Sequence, residues 1–297
     1  MRHGVAVFGS GPVPATIRWT QSQASPLKPA QTPRGSGGTI PAVMETTLHR
    51  QLKQFYAPDG TPQEVTLGEF RIDAVRNGEL IEIQAASLGA LRDKTRRLLA
   101  THPVRIVKPL ALNRRIISGE RGTNAEVRGR LSPRHEGWLH LFDDLVHFVT
   151  VFPHPRLTLD ILLTEQLEVR QPHANRRRWG RNYRVCDRSL TAVIECRSLC
   201  TTADLIALLP PELPAEFTTA DLARTASIPR WLAQRAAYCL RQTNAAEVAG
   251  KQGNAWVYRL KAAKELAPTP TRRRQTKPRP TASAPTPPKS ARRRSTG

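Results

Sequence analysis

The sequence predicts an α/β protein: a mixed-sheet core followed by a smaller helical module that ends in two short strands. Three observations carry this expectation. Phe70 to Lys94 reads as a β-hairpin running into a helix, with Asn77-Gly78 as the turn, because both central positions of such a turn need positive φ. Residues 45–109 switch between helical and strand periodicity in the order helix, three strands, helix, strand. Residues 201–260 carry three short helical patterns and then two strands.

The elements follow in chain order. Residues 1–43 are rich in Pro, Gly, Ser and Thr and read as disordered; Met44 stands where foldable sequence begins. Gly9-Ser10-Gly11 lacks the third glycine of a nucleotide-binding loop, and Pro12 and Pro14 would interrupt its helix. Glu45 to Ala57 is predicted helical, with Leu48, Leu52 and Phe55 as its apolar stripe and Glu45 and His49 on another face. Asp59-Gly60 turns the chain into a strand over Gln63–Glu69. Ser87 is the expected cap of a helix running to about Ala100, apolar through Leu88, Leu91, Leu98 and Leu99. A strand is expected over Pro103–Pro109.

Beyond Leu112, a strand over Arg114–Ile117, a helix over Trp138–Val151 and an extended stretch over Leu157–Val169 are expected. Arg176-Arg177-Arg178, Arg181 and Arg184 with Trp179 and Tyr183 form a basic, aromatic loop able to stack on unpaired bases, or simply a solvated surface loop. Tyr183–Asp187 and Thr191–Arg197 would make a second hairpin. Then come helices over Asp204–Leu209, Ala220–Ala226 (capped by Thr218 or Thr219) and Arg230–Gln242. In the last of these, Leu232, Ala236, Cys239 and Leu240 are the buried side. Strands over Glu247–Ala249 and Trp256–Leu260 flank a Lys251-Gln252-Gly253-Asn254 tip. Five segments result: 1–43 disordered, 44–112 core, 113–199 mixed extension, 200–262 helical module, and 263–297 a basic disordered tail.

Charge narrows the partners. The 297 residues carry a formal net charge of +22, from 46 Lys+Arg against 24 Asp+Glu. The N-terminal 43 residues hold +4 and the final 30 hold +9, so the middle of the chain keeps +9. Such a balance points to a polyanion, most simply DNA, though a solubilising role is also open. The four cysteines, at 186, 196, 200 and 239, form no CxxC pair and match no usual zinc spacing, so reduced cytoplasmic thiols are expected. No apolar run is long enough for a membrane span, and none marks a secretory signal.

Chemistry enters through the hairpin. Counting outward from Asn77-Gly78 pairs Arg76 with Glu79, Val75 with Leu80, Ala74 with Ile81, and Asp73 with Glu82. Facing carboxylates repel, so a divalent cation is a natural neutraliser; Arg71 or Arg92 would serve instead on an ordinary surface. Gln84 shares the Glu82 face, while Ile81 and Ile83 point to a core.

Asp73 followed by Glu82-Ile83-Gln84 on the next strand, within helix, three strands, helix, strand, resembles the PD-(D/E)XK nuclease superfamily over about 44–112. The resemblance implies a restriction-endonuclease-like mixed sheet core. It assigns Asp73 and Glu82 to Mg²⁺, with the Ile83 carbonyl as a further ligand, and makes Gln84 an E-x-Q form of the motif's last position. Some members carry the lysine on the following helix, a part Lys94 would take, and Glu45 matches an acidic residue of the family's first helix. The C-terminal module has the element order of a winged helix-turn-helix, in which the helix opening at Arg230 would enter the major groove. Arg230, Gln234 and Arg235 would contact DNA there, with Arg241 and Lys251 on the backbone. The expected function is Mg²⁺-dependent phosphodiester hydrolysis on DNA; the alternative is a non-catalytic DNA-binding or regulatory protein on the same fold.

Overall fold

The computed structural model describes residues 45–118, 129–172 and 182–261. The Gly9-Ser10-Gly11 segment, Met44, Trp179 with its neighbouring arginines 176–178 and 181, and both expected disordered tails lie outside the described residues. The architecture is mixed α/β. Helix α1 (Thr47–Tyr56) is followed by β1 (Gln63–Leu67), β2 (Phe70–Arg76) and β3 (Glu79–Ile83). A 3-10 turn at Leu88–Leu91 leads into α2 (Arg92–Leu98), then β4 (Val104–Ser118) and the short β5 (Arg130–Leu131). After α3 (Leu141–Leu145) come two long strands, β6 (Leu157–Pro172) and β7 (Tyr183–Leu199). The C-terminal part holds α4 (Thr202–Ile206), β8 (Glu216–Thr218), α5 (Thr219–Thr225), α6 (Arg230–Gln242), β9 (Ala246–Gln252) and β10 (Ala255–Leu260).

The large sheet runs β1-β2-β3-β4-β6-β7, with β5 paired to β4. Pairing is antiparallel at both ends of that order and parallel for β3–β4 and β4–β6. Parallel strands are covered on both faces and therefore read as near-continuous apolar runs. On one face α1 packs Leu48, Leu52 and Tyr56 against Ala74, Ile81, Ile83, Val107 and Leu162. On the other, Leu80, Ile106, Leu159 and Ile161 join Leu98, Phe142 and Phe148. That second core continues through Leu222, Leu232, Ala236 and Leu240, so α5 and α6 share it with the sheet. Cys239 Sγ lies 3.8 Å from the Phe142 carbonyl, joining α6 to α3.

The Asn77-Gly78 turn forms as expected, with φ of 51° and 78°, and Arg76, Val75 and Ala74 pair with Glu79, Leu80 and Ile81. Several elements differ from expectation. The helix expected from Trp138 to Val151 is a 3-10 turn at Trp138–His140 and the single turn-and-a-half of α3. Beyond it Phe148 N–H donates to Leu145 O and Val151 N–H to Phe148 O, tighter i→i+3 turns suited to a stretch holding Val146, Val149, Thr150 and Val151. The second hairpin is absent: 183–199 is one strand along β6, broken only by bulges. No glycine, proline or Asn-Gly pair interrupts residues 188–190, and Leu190 is buried on the α1 face. The sheet also does not stop near 112, because β4 continues to Ser118 and β6 follows it in parallel throughout.

Candidate active site

The site forms where the β2–β3 ladder opens. Pairing ends at Ala74–Ile81, one step short of the expected Asp73–Glu82 pair. Instead the Asp73 side chain takes the place of a backbone acceptor: Ile83 N–H donates to Asp73 Oδ2 at 2.7 Å. The same carboxylate meets His49 Nε2 of α1 at 3.2 Å. His49 Nδ1 in turn contacts Glu45, which precedes the helix because Thr46 is its N-cap. Lys53, one turn on from His49, reaches Glu45 at 2.9 Å and also pairs with Glu64. The spacing 45, 49, 53 puts three charged side chains of opposite signs on one helical face.

Glu82 lies beside Asp73, whose backbone donates a hydrogen bond to it, and is 5% exposed. Lys94, from the second helical turn after Ser87, donates to Glu82 Oε1 at 2.6 Å and to the Arg71 carbonyl at 2.5 Å. Ser87 holds that turn in place by accepting from Gly89 N–H. The cation beside the acids is therefore Lys94. Arg71 instead pairs with Glu64, and Arg92 with Asp93.

The electrostatics separate the two acids. Burial pushes Glu82 up to about 7; the Lys94 ammonium and a hydrogen bond from the Asp73 backbone oppose this without cancelling it. Burial works in the same direction at Asp73, but His49 and the Ile83 N–H outweigh it and hold the carboxyl below its ordinary value. Burial disfavours charge on His49, yet Asp73 and Glu45 outweigh it and keep the imidazole protonated above its usual range. Two adjacent acids thus differ in proton affinity because one is neutralised by several donors and the other is buried more deeply.

Of the residues expected at the site, Asp73, Glu82, Lys94 and Glu45 converge. Gln84 does not join them: its side-chain amide donates to the Ser87 carbonyl at 2.6 Å and stabilises the turn after β3. His49 and Lys53 are the additions, and the run of i, i+4 steps from Glu45 to His49 to Lys53 was the available signal. Asp73 and Glu82 present hard carboxylate oxygens, which suit Mg²⁺, an ion usually held by one or two carboxylates with water and substrate phosphate completing its shell. No cluster of three or more His, Cys, Asp or Glu arranged for a metal occurs among the described residues. The two acids match the smaller donor set that Mg²⁺ needs.

In the C-terminal part, Arg230, Gln234, Tyr238 and Arg241 form an exposed stripe on α6. Arg235 is committed elsewhere: it pairs with Asp143 of α3 and lies 5.2 Å from the Trp231 ring centroid. Lys251 sits 4.3 Å over the Trp256 ring at the β9–β10 turn. The four cysteines are all free thiols, and no described helix is long and apolar enough to cross a membrane.

A family model described as "Domain of unknown function (DUF8091)" matches residues 46–200, which begin just before α1 and close the large sheet with β7. An uncharacterized protein of Treponema pallidum (strain Nichols) is 29% identical over 188 residues, covering 63% of this chain and 74% of the relative. No solved structure matches the chain. The family match spans just over half of the sequence, and the chain belongs to that family.

Proposed function

We propose that this member of the DUF8091 family is a divalent-cation-dependent nuclease acting on DNA, with Asp73 and Glu82 holding the cation and Lys94 at the scissile phosphate. One observation carries the reading: two strands and the following helix bring both carboxylates and a lysine to one point, Lys94 Nζ lying 2.6 Å from Glu82. This supports the PD-(D/E)XK resemblance in the form whose lysine is supplied from the helix, with Gln84 outside the site.

Mg²⁺ at these carboxylates would polarise a phosphoryl oxygen and lower the pKa of an attacking water. The chain's own groups do the rest. Asp73, kept ionised by His49 and Ile83 N–H, is ready to bind a cation. Glu82, with its pKa near 7, binds one at the expense of a proton, so cation affinity should rise with pH. Lys94 then exchanges Glu82 for the charge developing on phosphorus while keeping the Arg71 carbonyl as its anchor. His49 loses its proton as pH rises past its ordinary range, which removes a competing positive charge from Asp73.

For DNA engagement, the order α4, β8, α5, α6, β9, β10, with sheet order β8-β10-β9, supports a winged helix-turn-helix. Arg230, Gln234 and Arg241 on α6 are its groove and backbone contacts, and Lys251 marks the wing. The free thiols fit a reducing, cytoplasmic setting.

The test is cleavage of plasmid and oligonucleotide with Mg²⁺ or Mn²⁺ by wild type, Asp73→Ala and Glu82→Ala. Cleavage by wild type alone is expected; equal activity in all three would sink the assignment. A second reading, a non-catalytic DNA-binding protein on the same fold, is favoured by Gln84, whose amide is tied to Ser87, and by the pairing of both acids with this chain's own cations. It predicts salt-sensitive DNA binding with no cleavage and no Mg²⁺ bound at Asp73 and Glu82.

A further inference from the structure

A cavity of about 590 Å³ opens directly beyond the candidate active site. One wall is Ala85, Ala86 and Ser87, the residues that follow Gln84 at the end of β3. The opposite wall comes from the far halves of β4, β6 and β7. Ligands of open α/β sheets bind outside the carboxyl ends of parallel strands, which is where this cavity lies relative to β3.

Its floor is a charge imbalance. Glu168 is 1% exposed and accepts from Arg170 Nε at 2.6 Å and Arg188 Nε at 2.9 Å, with Arg114 Nη1 at 3.7 Å. One carboxylate faces three guanidinium groups, leaving two positive charges uncompensated. The other acids lining the cavity are committed: Asp144 to Lys108, Asp143 to Arg235, and Glu136 to Ala111 N–H and Arg134. Arg114 Nε is buried and has no hydrogen-bond partner among the described residues. A buried, unpaired donor on a charged group is costly and stays only where something else satisfies it. Arg130 and Arg134 stand exposed at the rim.

We propose that this cavity binds the phosphates of an unpaired nucleic-acid strand, with Arg114 and Arg188 as the inner contacts and Arg130 and Arg134 at the entrance. Guanidinium groups suit phosphate through paired N–H donors. A duplex, whose major groove alone is about 12 Å wide, does not enter a cavity of this volume, whereas a nucleotide does. A second cavity, of about 660 Å³, shares Arg134, His140 and Asp143 with the first and reaches Trp231 at the start of α6. The exposed Trp231 ring offers a stacking face at the end of that path. The unpaired strand would thus run from the C-terminal part to the Asp73–Glu82 face. The inference rests on the nucleic-acid reading above and specifies the strand state of the substrate.

The test is fluorescence anisotropy of a labelled oligo-thymidylate with the full chain in EDTA, so that binding is read without cleavage. An equal-length duplex runs alongside. Loss of the cavity arginines should weaken the single strand more than the duplex, which α6 would hold. The variant R114Q/R188Q should bind the strand at least tenfold more weakly, with a log–log salt slope shallower by about 1.4 for two lost contacts on a single strand. The variant R130Q/R134Q alters only exposed side chains and should weaken binding even if R114Q/R188Q fails to fold. Unchanged strand affinity in R130Q/R134Q, or an equal loss of strand and duplex affinity in that variant, overturns the proposal. Single-strand binding by wild type without cleavage on adding Mg²⁺ leaves the cavity assignment standing and overturns the nuclease reading. Metal-dependent cleavage with strand affinity indifferent to both variants does the reverse.

Discussion

The Asp73–Glu82 face and the Glu168 cavity differ in charge arithmetic. At the first, two carboxylates converge, and the chain brings His49 and Lys94 to them from two different helices. At the second, one buried carboxylate sits under three arginines. At the first, acids and this chain's own cations balance, so a metal ion has to displace a cation or a proton; at the second, surplus guanidinium calls for an anion, because burial weakens solvent screening. The contrast teaches that a basic net charge says little about where function lies: the candidate chemistry sits among paired charges, and the guanidinium surplus lies in the Glu168 cavity.

Breaking the second site should have the largest effect on stability. Glu168→Gln leaves three half-buried guanidinium groups around a neutral amide; removing one partner of a buried ion pair costs about 3–5 kcal/mol, and the partial exposure of these arginines puts the loss at the lower end of that range. A urea melt should show this loss, and added inorganic phosphate should recover part of it if the cavity is an anion site. A midpoint equal to wild type would mean that Glu168 compensates nothing.

The first site should be more sensitive in rate than in stability. Lys94→Met removes the cation expected at the phosphate, and loss of one such stabilising group costs about 10²–10³ in kcat. Cleavage assays under saturating substrate would show it, and an unchanged kcat would move the role of Lys94 to orienting Glu82.

The titration of Glu82 adds a pH dependence to the first site. Glu82 has its folded pKa near 7, above its ordinary 4.5, so the folded state holds this proton where the unfolded chain has lost it. The sign follows: the contribution of this group to stability is greatest below about 4.5 and is lost as pH rises to about 7. Glu82→Gln abolishes the dependence, and its advantage over wild type should grow across that window to at most about 3 kcal/mol, at 1.36 kcal/mol per pKa unit. Urea melts at several pH values decide it; parallel curves for the two proteins would place Glu82 as an ordinary ion pair with Lys94.

The smallest effect is local. Gly78, at φ 78°, closes the turn that sets the register of the acidic strands. Gly78→Val imposes a positive φ on a β-branched residue, a strain of about 1–3 kcal/mol. A thermal melt should fall accordingly while the Glu168 cavity, which is far along the chain, keeps its anion affinity.

Much of the fold was legible where the determinants are close in sequence. The Asn77-Gly78 turn, the pairing of Ala74 with Ile81, the Thr218 cap of α5 and the limits of α6 at Arg230 and Gln242 each depend on a few adjacent residues. Half of the site was legible for the same reason: the hairpin aligns Asp73 toward Glu82, and Lys94 follows on the next helix. The stripe Glu45, His49, Lys53 was readable by spacing, but its meeting with Asp73 was not, because α1 reaches β2 only by packing across the sheet.

The amino-acid sequence by itself determined the turns, caps and alternating apolar faces, since each is an energetic preference of neighbouring residues. Only the tertiary structure decided that residues 183–199 form one strand along β6, that the Asp73 side chain replaces a rung of the ladder, and that Arg114, Arg170 and Arg188 gather on Glu168. These outcomes join residues through parallel and long-range pairing, so the partner of a buried charge is set by which strands lie side by side, a choice that no local spacing encodes.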